Sequence, residues 1–395
     1  MAVWNPPDVQ WVVKVSKLCN LRCTYCYEFP FLADPARMSL GQLQRMFEHI
    51  RDHYAGTSRR MDFVWHGGEP LLLKPSFFRQ VADLQQDTLG PAGIRFGNSV
   101  QTNLSVMTDD LIECLGSFFT NVGVSIDLFG EQRVNAAGQC AEESVLANMQ
   151  TLKDANVRFG CITVLSRVTA PHVNDIYQFF EDIDTSFRLL PIYRTGYQGQ
   201  QDRLSLADVE IVAAFKQAID RWFASDSGIH VRPIEGYIAN VLRWLDAGRG
   251  TRRHYDKREA EVVYVVDTDG SLYSNADAYD PQFRHGNIFE ESLEDMTESE
   301  NYRRAVAAAQ GRMATTCHDC RLHGSCSGYF MGEATPEERS HDAEGRLVCG
   351  VAKPAQDYVA EILVNLGLVD RTGGTSLRSR LVERIDSAGT DLFPG

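Results

Sequence analysis

The residues best able to do chemistry lie in Leu18–Glu28, LCNLRCTYCYE, where Cys19, Cys23 and Cys26 follow a C-x3-C-x2-C spacing. Three thiolates in one short loop can wrap around a cubic iron–sulfur cluster. A [4Fe–4S] cluster takes four ligands, so three leave one iron open. An open iron can take an amine and a carboxylate from a small molecule, as an open catalytic metal takes its substrate. The competing reading is a structural zinc loop. Zinc spacing favours C-x2-C pairs with a fourth ligand nearby, and this loop has neither. A second thiol group, Cys317, Cys320, Cys326 and Cys349, supplies four ligands near the C-terminus. Four thiolates suit a closed zinc site as well as a [4Fe–4S] cluster, and spacing does not separate the two. Cys114 shares helical spacing with Leu111, Leu115 and Phe118, and Cys161 alternates with Phe159 and Thr163 as in a strand, so both read as core. Cys140 receives no role.

Bulk properties narrow the function classes. The chain has 395 residues, is 44% hydrophobic and 23% charged, and suits two or three soluble domains. A formal net charge of -14 argues against nucleic-acid and membrane-surface partners, since no basic stripe is available for phosphates. No apolar run approaches the length of a membrane span. The N-terminal MAVWNPPDVQ lacks the basic start and apolar core of a secretory signal. A cytoplasmic, reducing compartment is therefore expected, where ten cysteines serve as ligands rather than disulfides.

The elements that must position these residues follow a βα rhythm. Val9–Ser16 is apolar and β-branched, a buried strand that delivers the cysteines at its carboxyl end, where α/β barrels keep their chemistry. Helical periodicity over Ser39–Tyr54, with Ser39 as N-cap, precedes a short strand, Met61–Trp65, that runs into His66-Gly67-Gly68-Glu69-Pro70. Two glycines there let backbone approach a ligand closely. The alternation continues through strands at 94–101, 122–126, 157–165 and 187–192, with helices at 76–89, 109–118, 142–155 and 172–182 between them. Six repeats with short connections predict a parallel sheet curled into a partial barrel. A full eightfold barrel takes about 250 residues, more than the pattern supplies. GYQGQQD, Gly196–Asp202, reads as a boundary, followed by bridging helices over 206–224 and 235–246. A hairpin over 261–273 turns at Asp269-Gly270, Gly286-Asn287-Ile288 starts a further turn, and a helix spans 299–310.

The cysteine loop, with Tyr25 just before the third cysteine, resembles that of the radical S-adenosylmethionine (SAM) enzymes. In that family a Gly-Gly-Glu-Pro segment ends the second strand and holds the amino group of SAM, which points to Gly67, Gly68, Glu69 and Pro70. The resemblance further implies SAM contacts from Gln101, Asn103, Ser125 and Asp127 at later strand ends. It leaves Arg133 to meet the methionine carboxylate in a charge-assisted bond. Each also has an ordinary reading: Gln101 and Asn103 as turn residues, Ser125 and Asp127 as turn caps, Arg133 as surface, and His66 as a hydrogen-bonded structural histidine.

The hairpin, the Gly-Asn-Ile turn and Cys317-x2-Cys320-x5-Cys326 with Cys349 resemble the second half of the SPASM extension, found on radical SAM enzymes that modify peptides and proteins. There these cysteines hold an auxiliary [4Fe–4S] cluster. Ligands of a further auxiliary cluster would fall at Asn275 and Phe330, so that cluster is expected to be missing. Asp277 is the candidate catalytic carboxylate beside the lost ligand, with an ordinary loop carboxylate as the favoured alternative. The expected organisation is a partial (β/α)6 TIM-like barrel over 1–196, bridging helices over 197–260, a SPASM-like domain over 261–355, and a C-terminal helix and polar tail over 356–395.

The resemblance implies an enzyme with two [4Fe–4S] clusters and SAM, driven by an electron donor such as flavodoxin or ferredoxin. Reductive cleavage of SAM would yield methionine and a 5′-deoxyadenosyl radical. The expected function is a maturase that crosslinks a ribosomally made precursor peptide, for example into a cyclophane. A sulfatase-maturating, formylglycine-forming enzyme is the alternative, and a non-catalytic metal-binding module is the alternative of another class. The short stretch before Cys19 leaves peptide recognition to the barrel, the bridging helices or the C-terminal region.

Overall fold

The computed structural model describes residues 9–193, 202–245, 252–275, 280–367, 381, 384 and 385. Its first strand, β1 (Val9–Ser16), has a nearly continuous buried face, as a central strand covered on both sides requires. Helix α1 (Leu40–Tyr54) starts at a capping box in which Ser39 Oγ accepts from Gln42 N. Then β2 (Arg60–Gly67), α2 (Pro75–Leu89), β3 (Arg95–Thr102), α3 (Asp109–Ser117), β4 (Asn121–Ser125), α4 (Glu142–Asp154), β5 (Gly160–Leu165), α5 (Val173–Asp182) and β6 (Phe187–Pro191) follow in turn. Neighbouring strands from β1 to β6 all pair parallel, so every chemically interesting loop leaves the same edge of the sheet.

The parallel sheet is longer at both ends than the βα pattern predicts. Beyond β6, helix α6 (Asp208–Ala224) leads to a two-residue strand, β7 (Val231–Arg232), that pairs parallel with β6, and α7 (Ile234–Leu245) follows. The chain then crosses to the opposite edge. There β8 (Val263–Val266) pairs parallel with β1, and β9 (Ser271–Ser274) and β10 (Gly286–Asn287) add antiparallel strands. The result is one ten-stranded open sheet, β10-β9-β8-β1-β2-β3-β4-β5-β6-β7. The expected Asp-Gly hairpin is thus continuous with the barrel sheet.

Packing locks the central strands. Trp11, Phe47, Phe63, Trp65 and Phe78 are fully buried, and the Phe47 and Phe63 rings meet edge to face at 5.3 Å. Each such side chain stabilises the fold by about 1.5–3 kcal/mol. A buried amide among them is satisfied: Trp65 Nε1 donates to Asn98 Oδ1 at 2.8 Å, and Asn98 pairs with Gln85.

The C-terminal part is built from α8 (Leu293–Thr297), α9 (Glu300–Cys317), α10 (Tyr329–Gly332), the small hairpin β11 (Ser340–His341) with β12 (Leu347–Val348), and α11 (Ala352–Asn365). Helix α9 runs past the expected end at Gln310 and stops at the first cysteine of the C-terminal group. Arg312 on its last turns donates to the carbonyls of Met331 and Gly332, which holds the added length. The expected boundary at Gly196–Asp202 lies outside the described residues except for Asp202, and Asp277 lies outside them altogether. Among the described residues no helix is long and apolar enough to cross a membrane.

Candidate active site

The cysteine loop emerges from β1 and folds back on itself. Cys19 N donates to Leu32 O at 3.1 Å and Cys26 N to Cys23 O at 3.1 Å, so the three thiols belong to one compact turn. Burial pushes the Cys19 thiol up to about 11 and the Cys26 thiol up to about 12, and raises Cys23 as well. As free thiols they hold their protons at neutral pH, and a bound metal removes them. Two neighbours soften the site for sulfur. Asn103 Nδ2 donates to Cys19 Sγ at 3.6 Å, and Arg133 Nη1 lies 3.9 Å from Cys23 Sγ.

The His66–Pro70 segment is pressed against that loop, and this is why it needs glycine. Gly68 N donates to Ser16 O and Glu69 N to Leu18 O. A Cβ on Gly68 would sit 2.3 Å from Leu18 O and 2.4 Å from Lys17 O. One on Gly67, whose φ is +122°, would sit 2.2 Å from Ser16 O. Glu69 is 1% exposed and satisfied on both oxygens: Oε1 accepts from Leu71 N at 2.9 Å and Thr102 Oγ1 at 2.7 Å, and Oε2 from Asn103 N at 2.7 Å. Burial raises its carboxyl, which those donors oppose. Glu69 therefore ties the end of β2 to the end of β3, and buried Pro70 opens the turn that follows.

The other expected contacts divide into two knots. Gln101 Nε2 donates to Ser125 Oγ at 2.6 Å, while Gln101 Oε1 is buried without a protein partner. Asn103 Nδ2 also donates to Asn20 Oδ1, and its Oδ1 accepts from Ser105. Asp127 is the hub of the second knot. Its Oδ2 accepts from Arg133 Nε at 2.8 Å and from the Tyr25 hydroxyl, and its Oδ1 from Val164 N at 2.7 Å. The Arg133 guanidinium lies 5.5 Å from the centre of the Tyr25 ring. The aromatic residue of the cysteine loop and the arginine after β4 are thus fixed by one carboxylate.

Sequence reading named His66, Gln101, Asn275 and Phe330 but missed the rest of the lining above these strands. A cavity of about 470 Å³ is walled by Lys14, Tyr27, His66, Gln101, Arg188 and Asn275, with Tyr329 and Phe330 from the C-terminal part. Lys14 pairs with Glu28, donates to Tyr27 Oη at 3.1 Å, and lies 4.6 Å from the centre of its ring. A lysine inside the apolar run VQWVVKVS was the signal available for it. His66 Nδ1 accepts from Gly67 N at 2.7 Å, which leaves Nε2 as the protonated nitrogen. Burial and the nearby Lys14 charge lower His66 to about 4, so the ring is neutral at physiological pH.

Cys317, Cys320, Cys326 and Cys349 line a separate cavity of about 390 Å³. Burial pushes Cys317 up to about 12 and Cys349 up to about 11. Among the described residues no three His, Cys, Asp or Glu side chains sit close enough to hold a single metal ion. The two cavities share a wall made of Phe330, Met331, Val348 and Cys349. At the positions where further cluster ligands would stand, Asn275 donates to the Tyr329 hydroxyl, and Phe330 packs 5.7 Å from Tyr237.

Known proteins place this geometry. Residues 13–180 match the radical SAM superfamily. The serine-type anaerobic sulfatase-maturating enzyme of Bacteroides thetaiotaomicron is 26% identical over 353 residues, covering 83% of each chain. Among solved structures, native anSMEcpe with bound AdoMet and Cp18Cys peptide superposes with a TM-score of 0.69 at 21% identity, covering 91% of this chain and 99% of that one. Streptococcus suis SuiB bound to precursor peptide SuiA gives 0.55 at 13% identity, covering 86% of this chain and 76% of that one. Both structural likenesses are likenesses of fold. These relatives favour the sulfatase-maturating alternative over the crosslinking maturase expected first, and they do not single out cyclophane formation. The cysteine loop and the glycine turn both lie inside the stretch that matches the radical SAM superfamily, and this similarity, with that to the sulfatase-maturating relatives, makes the chain an enzyme and supports SAM and a [4Fe–4S] cluster as its cofactors.

Proposed function

We propose that the protein oxidises a side chain within a polypeptide substrate, in the manner of the sulfatase-maturating relatives. The observation that carries this reading is the 470 Å³ cavity. Its lining draws on both the barrel, through Lys14, Tyr27 and His66, and the C-terminal part, through Tyr329 and Phe330, and the similarity to the Bacteroides enzyme is what points to a polypeptide as its occupant. The similarity to the Bacteroides enzyme over most of both chains supports serine or cysteine as the oxidised residue.

The side chains fit the implied groups. Three thiols in one turn suit a cluster with an open iron, and the orphaned Gln101 Oε1 offers an acceptor beside it. When bound, cluster and SAM would supply the one-electron chemistry needed to take a hydrogen atom from an unactivated substrate carbon. Arg133, held by Asp127, would meet the SAM carboxylate. Gly67, Gly68 and Glu69 would shape the backbone that meets its amine. Lys14, Tyr27 and His66 orient the polypeptide and exclude water. Asp277 would accept the proton released when the substrate radical loses an electron. Cys317, Cys320, Cys326 and Cys349 would hold an auxiliary [4Fe–4S] cluster, which would supply a one-electron acceptor. The four thiols line one cavity of about 390 Å³, and the resemblance to the SPASM extension is what favours such a cluster over one zinc ion.

A second reading, crosslinking of a precursor peptide, is favoured by one observation. At Asn275 and Phe330, where the resemblance puts ligands of a further cluster, there is no thiol: Asn275 donates to the Tyr329 hydroxyl and Phe330 packs on Tyr237. One experiment separates the two. Anaerobically reconstituted protein is given SAM, reductant and either a serine-containing sulfatase-type peptide or a candidate precursor peptide. Both products lose two hydrogens. An aldehyde that reacts with hydrazide reagents is expected for oxidation. A product inert to hydrazide, with fragmentation blocked inside the linked segment, would replace that reading with crosslinking.

A further inference from the structure

We infer that the surface around Leu18, Phe29 and Leu72 docks a small acidic one-electron carrier protein. A radical SAM cluster must be re-reduced from outside, and the shortest entry is through the protein surface nearest its thiols. Seven large apolar side chains are exposed among the described residues, and three of them, Leu18 at 38%, Phe29 at 42% and Leu72 at 37%, lie on the cysteine loop and the turn stitched to it. Leu18 precedes the first thiol. Phe29 N donates to the carbonyl of Cys26, the third. Leu72 N donates to Glu69 O, and Glu69 N donates to Leu18 O, so the two segments are joined by direct backbone bonds. None of the three lines the substrate cavity, so the patch is a different surface from the one that takes polypeptide.

The charge around the patch opposes that of the whole molecule. Exposed Arg37 and Lys74, with half-buried Arg22, lie on these same segments, against one exposed acid, Asp34, while half-buried Lys17 is matched by Asp267 at 3.7 Å. Glu28 is buried on Lys14, and Glu69 is buried in its own bonds. The chain as a whole carries -14. A basic rim around an apolar centre on such an acidic protein steers an acidic partner to this one face and repels it elsewhere. The occupant is therefore a small acidic carrier that presents a reduced flavin or iron–sulfur group. It hands over one electron, its redox group being oxidised by one as the acceptor cluster is reduced by one.

The test uses the full reconstituted chain and the variant Arg37→Glu/Lys74→Glu, with Leu72→Ser as a second, uncharged variant. SAM cleavage is followed as 5′-deoxyadenosine, once with dithionite and once with reduced flavodoxin, at low and high ionic strength. With dithionite both variants should match the unmodified protein. With flavodoxin at low salt, the charge-reversed variant should lose about tenfold in rate, and the unmodified protein should lose a similar factor on raising salt. Flavodoxin-driven rates equal to those of the unmodified protein would overturn the docking surface. So would loss of the dithionite-driven rate, which would assign these residues to cluster integrity. Selective loss of polypeptide-stimulated cleavage would give the surface to the substrate instead.

Discussion

Asp127 shows how much a single carboxylate can organise. Buried and bonded to Arg133, Tyr25 and Val164, it fixes an arginine whose remaining guanidinium nitrogens face the cysteine loop. A direct cofactor contact from Asp127 would have to compete with those bonds, so the residue acts through Arg133. Replacing Arg133 with Gln should weaken SAM binding about tenfold to a hundredfold, the usual cost of removing one charged hydrogen bond. Equilibrium dialysis on cluster-loaded protein measures it, and unchanged affinity would return Arg133 to a purely structural role. The three cysteines stand out in the sequence by their spacing, whereas Gly67, Gly68 and Glu69 are singled out through the resemblance, the turn alone being a weak signal; the structure shows that turn pressed against the cysteine loop. Lys14, Tyr27 and Arg188 were not legible, since a lone polar residue in a strand says nothing about which cavity it will face.

At the scale of elements, the six βα repeats were readable because each strand and helix is long enough to show its period. The additions were not. Strands β7, β10, β11 and β12 have two residues each, too few for any alternation, and β8 pairs with β1 across about 250 residues of chain, a choice made by packing rather than by local pattern. The last turns of α9 escaped for a different reason. Gly311, Thr315 and Thr316 are weak helix formers, and the helix persists because Arg312 anchors it to α10. Gly311 is exposed, and a Cβ added there meets nothing within 4 Å. Gly311→Ala should therefore stabilise the protein by about 0.5–1 kcal/mol by favouring helix over the unfolded chain. A rise in thermal midpoint without change in SAM cleavage is the expected result. A fall would mean that α9 needs flexibility beside Cys317.

On the scale of the whole molecule, the barrel and the C-terminal part are joined by the sheet through β8, by α11 packed on α6 and α7, by α8 packed on α1, and by a wall between two cavities. Phe330, Met331, Val348 and Cys349 face the substrate cavity on one side and the four-thiol cavity on the other. The thiols of the first loop lie at the end of β1, remote in sequence from that wall. On the proposed function, Cys349 in that shared wall is the point at which the C-terminal thiols would reach the substrate cavity. Reconstituted protein should carry about eight irons, about four on each thiol group. Substituting Cys19, Cys23 and Cys26 together should remove about half the iron and abolish 5′-deoxyadenosine formation. Cys349→Ser should behave differently. It should perturb only the C-terminal cluster, seen as a changed electron paramagnetic resonance signal, and leave dithionite-driven SAM cleavage within about twofold. Modified polypeptide should then fall well below 5′-deoxyadenosine, because the substrate radical forms but loses its route for the second electron. Equal losses of both products would show that the C-terminal thiols serve only folding, and stoichiometric zinc in the C-terminal site with about four irons elsewhere would remove the electron route altogether.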